Sequence, residues 1–169
     1  KLYIPKLTKI NDIRTENELN DIKTFNLIFK NEEDLEKFNY IPGQFAELSI
    51  LGKGECPIGI ASSPTEPDSL KFTVKRMGTV TTAMHDSKEK DIVGIRGPFG
   101  NGWPIEDMKN KNIVIIGGGF AFSTLRSLTE YLIHENNRSE YGNITVIYGN
   151  RNPEELLYEP EIERWKKRD

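Results

Sequence analysis

The sequence contains a single cysteine, Cys56, among its 169 residues. One thiol cannot form a disulfide within the chain, and it cannot hold a zinc or iron–sulfur site built from cysteines alone. Long apolar runs are also missing, since no stretch approaches the ~20 residues that a membrane helix needs. The formal net charge of −3 gives no basic surplus for nucleic acid or an anionic membrane. We therefore expect neither nucleic-acid binding nor membrane insertion.

Targeting signals and catalytic side-chain groupings are scarce as well. No signal-peptide core precedes Pro5, so a reducing cytoplasm is the expected compartment. His85 and His134 have no cysteine or carboxylate partner at metal-ligand spacing, and no metal site is predicted. The absence of a convincing acid, base or nucleophile constellation favours a cofactor as the carrier of any chemistry.

The first hundred residues consist of short alternating segments separated by glycine and proline turns. Phe25, Leu27 and Phe29, for example, share one face of such a segment. The predicted strands are residues 6–13, 22–29, 44–50, 57–61, 70–75 and 91–96, with one short helix over residues 78–85. Six short strands with turn-punctuated spacing predict a small antiparallel six-stranded β-barrel.

The second part opens on a β-branched run, residues 113–116, that stops at three glycines, residues 117–119. A helical pattern follows, with Leu125, Leu128 and Leu132 on one face. Strand, glycine turn and helix in this order begin a Rossmann-type unit, whose glycines let a diphosphate approach the backbone. Taken alone, a glycine cluster can also serve only as a tight turn of any α/β fold.

Further α/β signals follow the glycine turn. A helix is predicted over residues 121–136, a strand over 144–148 and a helical segment over 159–167. The turn-rich residues 102–111 predict a linker. The expected domains are residues 1–107, a β-barrel, and 108–169, a Rossmann-like parallel α/β domain. Because such a domain normally has more strands than two or three, the second domain is expected to be truncated.

Five motifs accompany the glycine turn in the order of a known family. They are Tyr-Ile-Pro-Gly-Gln-Phe at 40–45, Cys-Pro-Ile-Gly-Ile-Ala-Ser-Ser at 56–63, Gly-Thr-Val-Thr at 78–81, Gly-Pro-Phe-Gly at 97–100, and Tyr-Gly-Asn-Arg-Asn-Pro-Glu-Glu-Leu-Leu-Tyr at 148–158. With these motifs the sequence resembles the ferredoxin–NADP reductase superfamily over nearly its whole length. Within that superfamily it is most similar to the gamma subunit of cytoplasmic sulfhydrogenases and the B subunit of anaerobic sulfite reductase.

The resemblance implies a flavin-binding barrel followed by an NAD(P)-binding domain. FAD is the expected flavin, with FMN the less favoured choice. Family members continue with further Rossmann strands, a Cys-Gly segment and, in this branch, a cysteine cluster for a [2Fe–2S] centre. Such a centre is therefore expected only if a further C-terminal segment exists.

Three segments and one arginine are the cofactor-binding residues that the resemblance implies. The first segment would follow the flavin edge, the second would hold the flavin diphosphate, and the third would hold the diphosphate of the nucleotide. An arginine after the second Rossmann strand could hold a 2′-phosphate bidentately, which favours NADP over NAD, although a solvated loop arginine is the alternative. These residues are Ile58, Gly59, Ile60, Ala61 and Ser62, then Gly78, Thr79, Val80, Thr81 and Thr82, then Gly117, Gly118, Gly119, Phe120 and Ala121, and finally Arg151.

The sequence departs from the family pattern within these segments. Where the family has Arg-x-Tyr-Ser, this chain has Cys56, Ile58 and Gly59, which removes a positive charge and an aromatic stack. In the glycine turn, Ala121 and Thr124 replace a glycine and a proline. Each segment also has a purely structural interpretation, as a strand end, a helix cap or a tight turn.

The sequence predicts a flavoprotein electron-transfer subunit of an anaerobic hydrogenase or sulfite reductase type complex. It would pass electrons between NAD(P)H and an iron–sulfur partner subunit through FAD. One alternative is a degenerate, non-catalytic binding module of a redox complex, with weakened flavin or nucleotide sites. A flavin-free Rossmann-type protein of another class is a third interpretation, but it leaves the six front strands unexplained.

Overall fold

The computed structural model describes residues 3–66 and 70–168, which form eight strands and five α-helices. The strands are β1 (Lys6–Thr15), β2 (Ile22–Phe29), β3 (Phe45–Ile50), β4 (Gly54–Gly59), β5 (Leu70–Lys75), β6 (Ile92–Phe99), β7 (Ile113–Gly118) and β8 (Ile144–Gly149). The helices are α1 (Glu32–Glu36), α2 (Thr79–Asp86), α3 (Ile105–Met108), α4 (Phe122–Ile133) and α5 (Glu159–Trp165). Within these two ranges every helix is too short or too polar to cross a membrane.

Strands β1 to β6 form one antiparallel sheet in the order β4-β3-β6-β1-β2-β5. The alternation along each strand points one set of apolar side chains inward, as expected for a sheet with one buried face. Ile10, Phe25, Leu48, Phe72 and Ile95 belong to the resulting core and are almost fully buried. The antiparallel β architecture predicted for the front half is therefore confirmed.

The two edges of this sheet meet at one isolated antiparallel bridge between Ile60 and Phe72. Beside the bridge, the Ala61 N–H donates to the Lys71 carbonyl over 2.8 Å. In the described residues no continuous ladder joins β4 to β5, so the six strands of the predicted barrel form a curled sheet whose edges are joined at this point.

The second half has two parallel strands, β7 and β8, with α4 packed on one face. Ile113 and Ile115 of β7 face the helix and are buried. On the opposite face, Val114, Ile116 and Ile147 are 60%, 71% and 52% exposed. The parallel Rossmann-like arrangement predicted for this half is confirmed.

Several predicted element boundaries are wrong by a few residues, and two of them have a clear local cause. Strand β4 begins at Gly54 rather than at residue 57, because Gly54 pairs with Ile50 across a tight turn. Gly54 has a φ of +106°, a conformation that glycine adopts without the steric cost of a side chain. Helix α4 ends at Ile133 rather than at residue 136, because His134 adopts extended backbone angles.

The two halves share a buried interface. Ile22 of β2 belongs to the apolar cluster of the second half, together with Leu157 and Tyr158. The Tyr158 hydroxyl is hydrogen-bonded to Thr73 of β5. The division into residues 1–107 and 108–169 stays a prediction, since the cores of the two halves are in contact.

Each half also holds one tryptophan. Trp103 lies in the connection that contains α3, where its ring covers Gly43 so closely that a Cβ there would be 2.8 Å from Trp103 Cδ1. Trp165 ends α5, and its indole N–H donates to Glu130 Oε1 over 3.1 Å. The Trp165 ring lies 6.2 Å from the ring of Phe122, between centroids.

Candidate cofactor-binding site

The three glycines of the turn after β7 have different surroundings. A Cβ on Gly117 would lie 2.5 Å from Leu125 Cδ1, so this glycine permits close packing of α4 on β7. A Cβ on Gly118 would meet only the Gly149 carbonyl within 4 Å, at 3.9 Å, and Gly119 has a φ of +54°. Gly118 and Gly119 therefore leave their backbone open to a ligand, whereas Gly117 is required by the fold.

An open cleft of about 610 Å³ lies at this turn, at the carboxyl ends of β7 and β8. In parallel α/β sheets, ligands bind outside this end of the strands. The cleft is lined by Lys75, Gly118, Gly119, Phe120, Gly149, Asn150, Arg151 and Glu155. Two cationic side chains and open glycine backbone fit a phosphorylated ligand, and the fold brings the predicted residue Arg151 to the predicted glycines.

Ala121, the last member of the predicted glycine-turn segment, is exposed and precedes α4. Its carbonyl accepts a hydrogen bond from the Thr124 hydroxyl over 3.1 Å. Phe120 lines the cleft beside the open glycines. The structure therefore places both residues at the turn, as a single turn of 3₁₀ helix that leads into α4.

The hydroxyl of Tyr148 connects the glycine turn to the segment after β8. It donates to the Gly119 carbonyl over 3.3 Å and accepts from the Leu157 N–H over 3.3 Å. Its ring stacks on Phe122 with a centroid separation of 3.9 Å. Sequence reasoning missed this role, although Tyr148 opens one of the five motifs.

The second predicted segment forms the N-terminus of α2. The Thr81 hydroxyl accepts from the Gly78 N–H over 2.8 Å and from the Met77 N–H over 3.0 Å, which caps the helix. A Cβ on Gly78 would meet nothing within 4 Å, so the approach to this turn is open. Thr79 and Val80 are at the first two helical positions, whose N–H groups have no partner within the helix. Free N–H groups of this kind can bind a phosphate group, and the binding of a flavin diphosphate here stays a prediction.

The first predicted segment, which would follow the flavin edge, lies at the end of β4 and is largely internal. Ile60, Ala61 and Ser62 are fully buried, whereas Ile58 and Gly59 are partly exposed. The Ser62 hydroxyl accepts from the Lys71 N–H over 3.0 Å and is paired with the Tyr40 hydroxyl at 3.0 Å. The binding of flavin by this segment stays a prediction, and its accessible part is Ile58 and Gly59.

Arg126 of α4 is a buried cation beside this first segment, and sequence reasoning gave it no role. It donates to both carboxylate oxygens of Glu66, over 2.8 and 3.1 Å, and to the Ala61 carbonyl over 2.9 Å. Burial alone would raise the pKa of Glu66, but the hydrogen bonds and charge of Arg126 outweigh it and lower the pKa to about 2. The pair is therefore ionised at neutral pH.

Three other side chains near the predicted segments are Arg76, Lys75 and Cys56. Arg76 is paired with Asp86 at 2.8 Å, and Lys75 lies 3.5 Å from Asp21 while it lines the cleft. Burial raises the pKa of the Cys56 thiol, and the charge of Glu47 adds to the shift, so this thiol is protonated at neutral pH. In the described part of the chain, no group of three or more histidine, cysteine or acidic residues is placed to hold a metal ion.

Comparison with protein families gives a match to the oxidoreductase NAD-binding domain over residues 115–169. This range begins inside β7 and contains the glycine turn, Tyr148 and Arg151. The chain is also 39% identical over 140 residues to sulfhydrogenase 2 subunit gamma of Pyrococcus furiosus, which corresponds to 83% of this chain and 47% of that protein.

A second curated relative is a probable dihydroorotate dehydrogenase B (NAD⁺) electron transfer subunit of Methanocaldococcus jannaschii. It is 36% identical over 131 residues, which cover 77% of this chain and 44% of that protein. The chain thus spans about half the length of the curated relatives it matches. These relatives agree with the predicted hydrogenase branch and offer no support for the sulfite reductase comparison.

Solved structures share the fold over almost the whole chain. Ferredoxin–NADP⁺ reductase from Plasmodium falciparum superposes with a TM-score of 0.80 at 22% identity, covering 96% of this chain and 65% of that one. The structure of an NADH-dependent reduced ferredoxin–NADP oxidoreductase superposes with a TM-score of 0.72 at 25% identity, covering 94% of this chain and 53% of that one.

Proposed function

Because this chain belongs to the ferredoxin–NADP reductase superfamily, we propose that it holds the flavin- and nucleotide-binding parts of an electron-transfer subunit. The subunit would move electrons between NAD(P)H and an iron–sulfur partner subunit of a hydrogenase-type complex. Its proposed compartment is the cytoplasm. The proposed role as a subunit is supported by the sulfhydrogenase and dihydroorotate dehydrogenase relatives, whose names describe subunits of larger redox enzymes.

The observation that carries the proposal is that both cradles lie near Lys75. Lys75 ends β5, lines the cleft at the glycine turn, and precedes the open N-terminus of α2 by only a few residues. A nucleotide in the cleft and a flavin diphosphate on α2 would therefore lie close together. FAD, when bound, would supply the hydride and single-electron chemistry.

The residues of this chain would bind and orient the two cofactors. Gly118 and Gly119 would accept a diphosphate against the backbone, and Arg151 would pair with a phosphate on the adenosine ribose. Gly78 and the first turn of α2 would hold the flavin diphosphate, with Thr81 fixing the turn. Ile58 and Gly59 would present the exposed end of β4 to the flavin edge.

The direct test is flavin retention. The purified protein is incubated with excess FAD or FMN and desalted, and the retained flavin is measured by its visible spectrum and identified by chromatography. We expect one FAD per chain and little FMN. A folded protein that retains neither flavin would overturn the proposal and favour the degenerate binding module, which the loss of charge and aromatic stacking at Cys56 and Ile58 motivates.

Nucleotide choice is tested on the full-length protein by titration with NADPH and NADH. Arg151→Ala should weaken NADPH binding about tenfold and leave NADH binding within twofold, because only NADPH carries the 2′-phosphate. Arg168→Ala, at an exposed arginine outside this cleft, is the matched control. Equal loss for both nucleotides would refute the assignment of Arg151 to the 2′-phosphate.

A further inference from the structure

Helix α4 is hydrogen-bonded to the backbone of the predicted flavin segment at two consecutive residues. Arg126 Nη1 donates to the Ala61 carbonyl over 2.9 Å, and the Ser127 hydroxyl donates to the Ser62 carbonyl over 2.6 Å. All four residues are buried. The inner end of the segment is therefore fixed by the helix of the other half of the molecule.

A steric contact extends this attachment to the exposed end of the segment. A Cβ on Gly59 would lie 2.1 Å from Thr124 Cγ2, so the Thr124 methyl group fills the space that a side chain at residue 59 would need. The contacts follow the same order along α4 and along the flavin segment, since residue 124 contacts residue 59, residue 126 contacts 61, and residue 127 contacts 62.

Arg126 is itself held in one orientation. Its side chain is 3% exposed, and the guanidinium donates to both carboxylate oxygens of Glu66. The guanidinium Nε also lies 3.3 Å from Glu161 Oε1, and the guanidinium carbon lies 5.6 Å from the centroid of the Tyr158 ring. Burial alone would lower the pKa of Arg126, but the hydrogen bonds and charge of Glu66 raise it above its ordinary value. The Ala61 carbonyl thus has a charged, immobile donor, which makes a strong hydrogen bond.

The same helix begins at the glycine turn. Gly117 packs directly against Phe122 and Leu125, so the turn and the first two turns of α4 form one rigid unit. Helix α4 therefore contacts both the nucleotide cradle and the flavin segment, and its contacts fix how far apart the two lie.

From these contacts we propose that Arg126 is a positioning residue for the flavin. By fixing the Ala61 carbonyl, it would set the position of the accessible residues Ile58 and Gly59 relative to the glycine turn, and hence the distance between the two cofactors. The inference rests on the proposed function and assigns a role to a residue that touches neither cofactor.

The test uses the full-length, FAD-loaded protein and the substitution Arg126→Lys. Lysine keeps the charge but cannot bond Glu66 and Ala61 with a fixed fork. The measurements are the thermal midpoint, the FAD dissociation constant from flavin fluorescence, the flavin reduction potential, and the NADPH dissociation constant and flavin reduction rate from stopped-flow titration. Arg164→Lys is the control, since Arg164 is an exposed arginine that pairs with Glu130 at the edge of the same cluster.

We expect Arg126→Lys to weaken FAD binding and to slow flavin reduction about tenfold each, to shift the flavin potential measurably, and to leave the NADPH dissociation constant within twofold. Arg164→Lys should match the parent protein. If Arg126→Lys does not fold, Ser127→Ala is the variant to measure, because it removes only the hydroxyl that donates to the Ser62 carbonyl. A threefold or larger loss in FAD affinity would support the proposal, and an unchanged affinity would contradict it.

Two results would overturn the proposal that Arg126 positions the flavin. A variant with a lowered thermal midpoint but unchanged FAD affinity, potential and reduction rate would show that Arg126 only stabilises the fold. Equal effects of Arg126→Lys and Arg164→Lys would show a nonspecific charge effect. Failure of the parent protein to retain FAD is a different result, and it would refute the proposed function itself.

Discussion

Gly59 is a residue at which only a hydrogen atom fits as side chain, because Thr124 Cγ2 occupies the adjacent space. We expect Gly59→Ala to lower the free energy of unfolding by about 1–3 kcal/mol, the usual range for overpacking a buried contact. Thr124→Ser removes the clashing methyl group, so the double variant should recover most of that loss. Urea denaturation of the two single variants and the double variant measures the coupling.

Additive effects of the two substitutions would contradict this expectation. They would mean that the strand and helix separate freely at this contact. Ser123→Ala is a suitable neighbour control in α4, because Ser123 is buried but is not the residue that faces Gly59.

Glu66 should make stability depend on acid pH. Its pKa is about 2 in the folded protein, below the ordinary value of 4.5 expected for the unfolded chain, so folding favours the ionised form. The resulting stabilisation is complete above pH 4.5 and is lost as the pH falls towards 2. Glu66→Gln should therefore lower the free energy of unfolding by about 2 kcal/mol at pH 7 and flatten the acid limb of the profile.

Urea denaturation at pH 7, 4 and 3 checks this expectation. Glu163→Gln is the matched control, because that carboxylate is exposed and forms a surface pair with Lys166. A parallel acid limb for the parent protein and Glu66→Gln would contradict the ionised pair with Arg126.

At the scale of single elements, the cap of α2 connects stability to flavin binding. Thr81→Val keeps the shape of the side chain but removes the acceptor of the Gly78 and Met77 N–H groups. We expect a loss of about 1 kcal/mol in unfolding free energy, as for other helix caps, together with a several-fold weaker affinity for FAD.

Ser87→Ala serves as the control for this element. Ser87 follows the other end of α2, where its hydroxyl donates to the Ala83 carbonyl over 2.8 Å. Ser87→Ala should lower the free energy of unfolding without changing FAD affinity. Equal FAD affinity in Thr81→Val and the parent protein would argue against α2 as the diphosphate cradle.

For the whole molecule, the shared interface should make the two halves unfold together. Ile22 and Thr73 of the sheet contact the buried Leu157–Tyr158 region, and Arg126 bonds across the same boundary. We expect one calorimetric transition, with the calorimetric and van't Hoff enthalpies in agreement. Two separate transitions would contradict this, and would support independent domains at residues 1–107 and 108–169.

Local patterns in the sequence predicted much of the architecture. Alternation around Phe25 and Phe72 locates buried strands, and the glycines after Ile116 locate the turn that leads into α4, because these signals depend on a few adjacent residues. The closure of the sheet at Ile60 and Phe72 depends on how far the strands curl, which no local pattern encodes.

The candidate site was predictable only where a motif covers it. The glycine turn and Arg151 line one cleft, and their binding of a nucleotide stays a prediction. Arg126, by contrast, is surrounded by Glu66 and Glu161, which are distant in sequence. A polar residue on the apolar face of α4 was the one available signal. Its partners could not be identified without the packing of the two halves.

The intrinsic fluorescence of the two tryptophans depends on this packing. Trp165 is held beside Phe122 and Glu130, so its emission senses the contact between α4 and α5. Trp103 covers Gly43 in the connection between the halves and is 40% exposed, so its emission senses a different place in the molecule. Fluorescence of the single-tryptophan variants Trp103→Phe and Trp165→Phe can therefore distinguish loosening of the second half from loosening of the connection, without an added label.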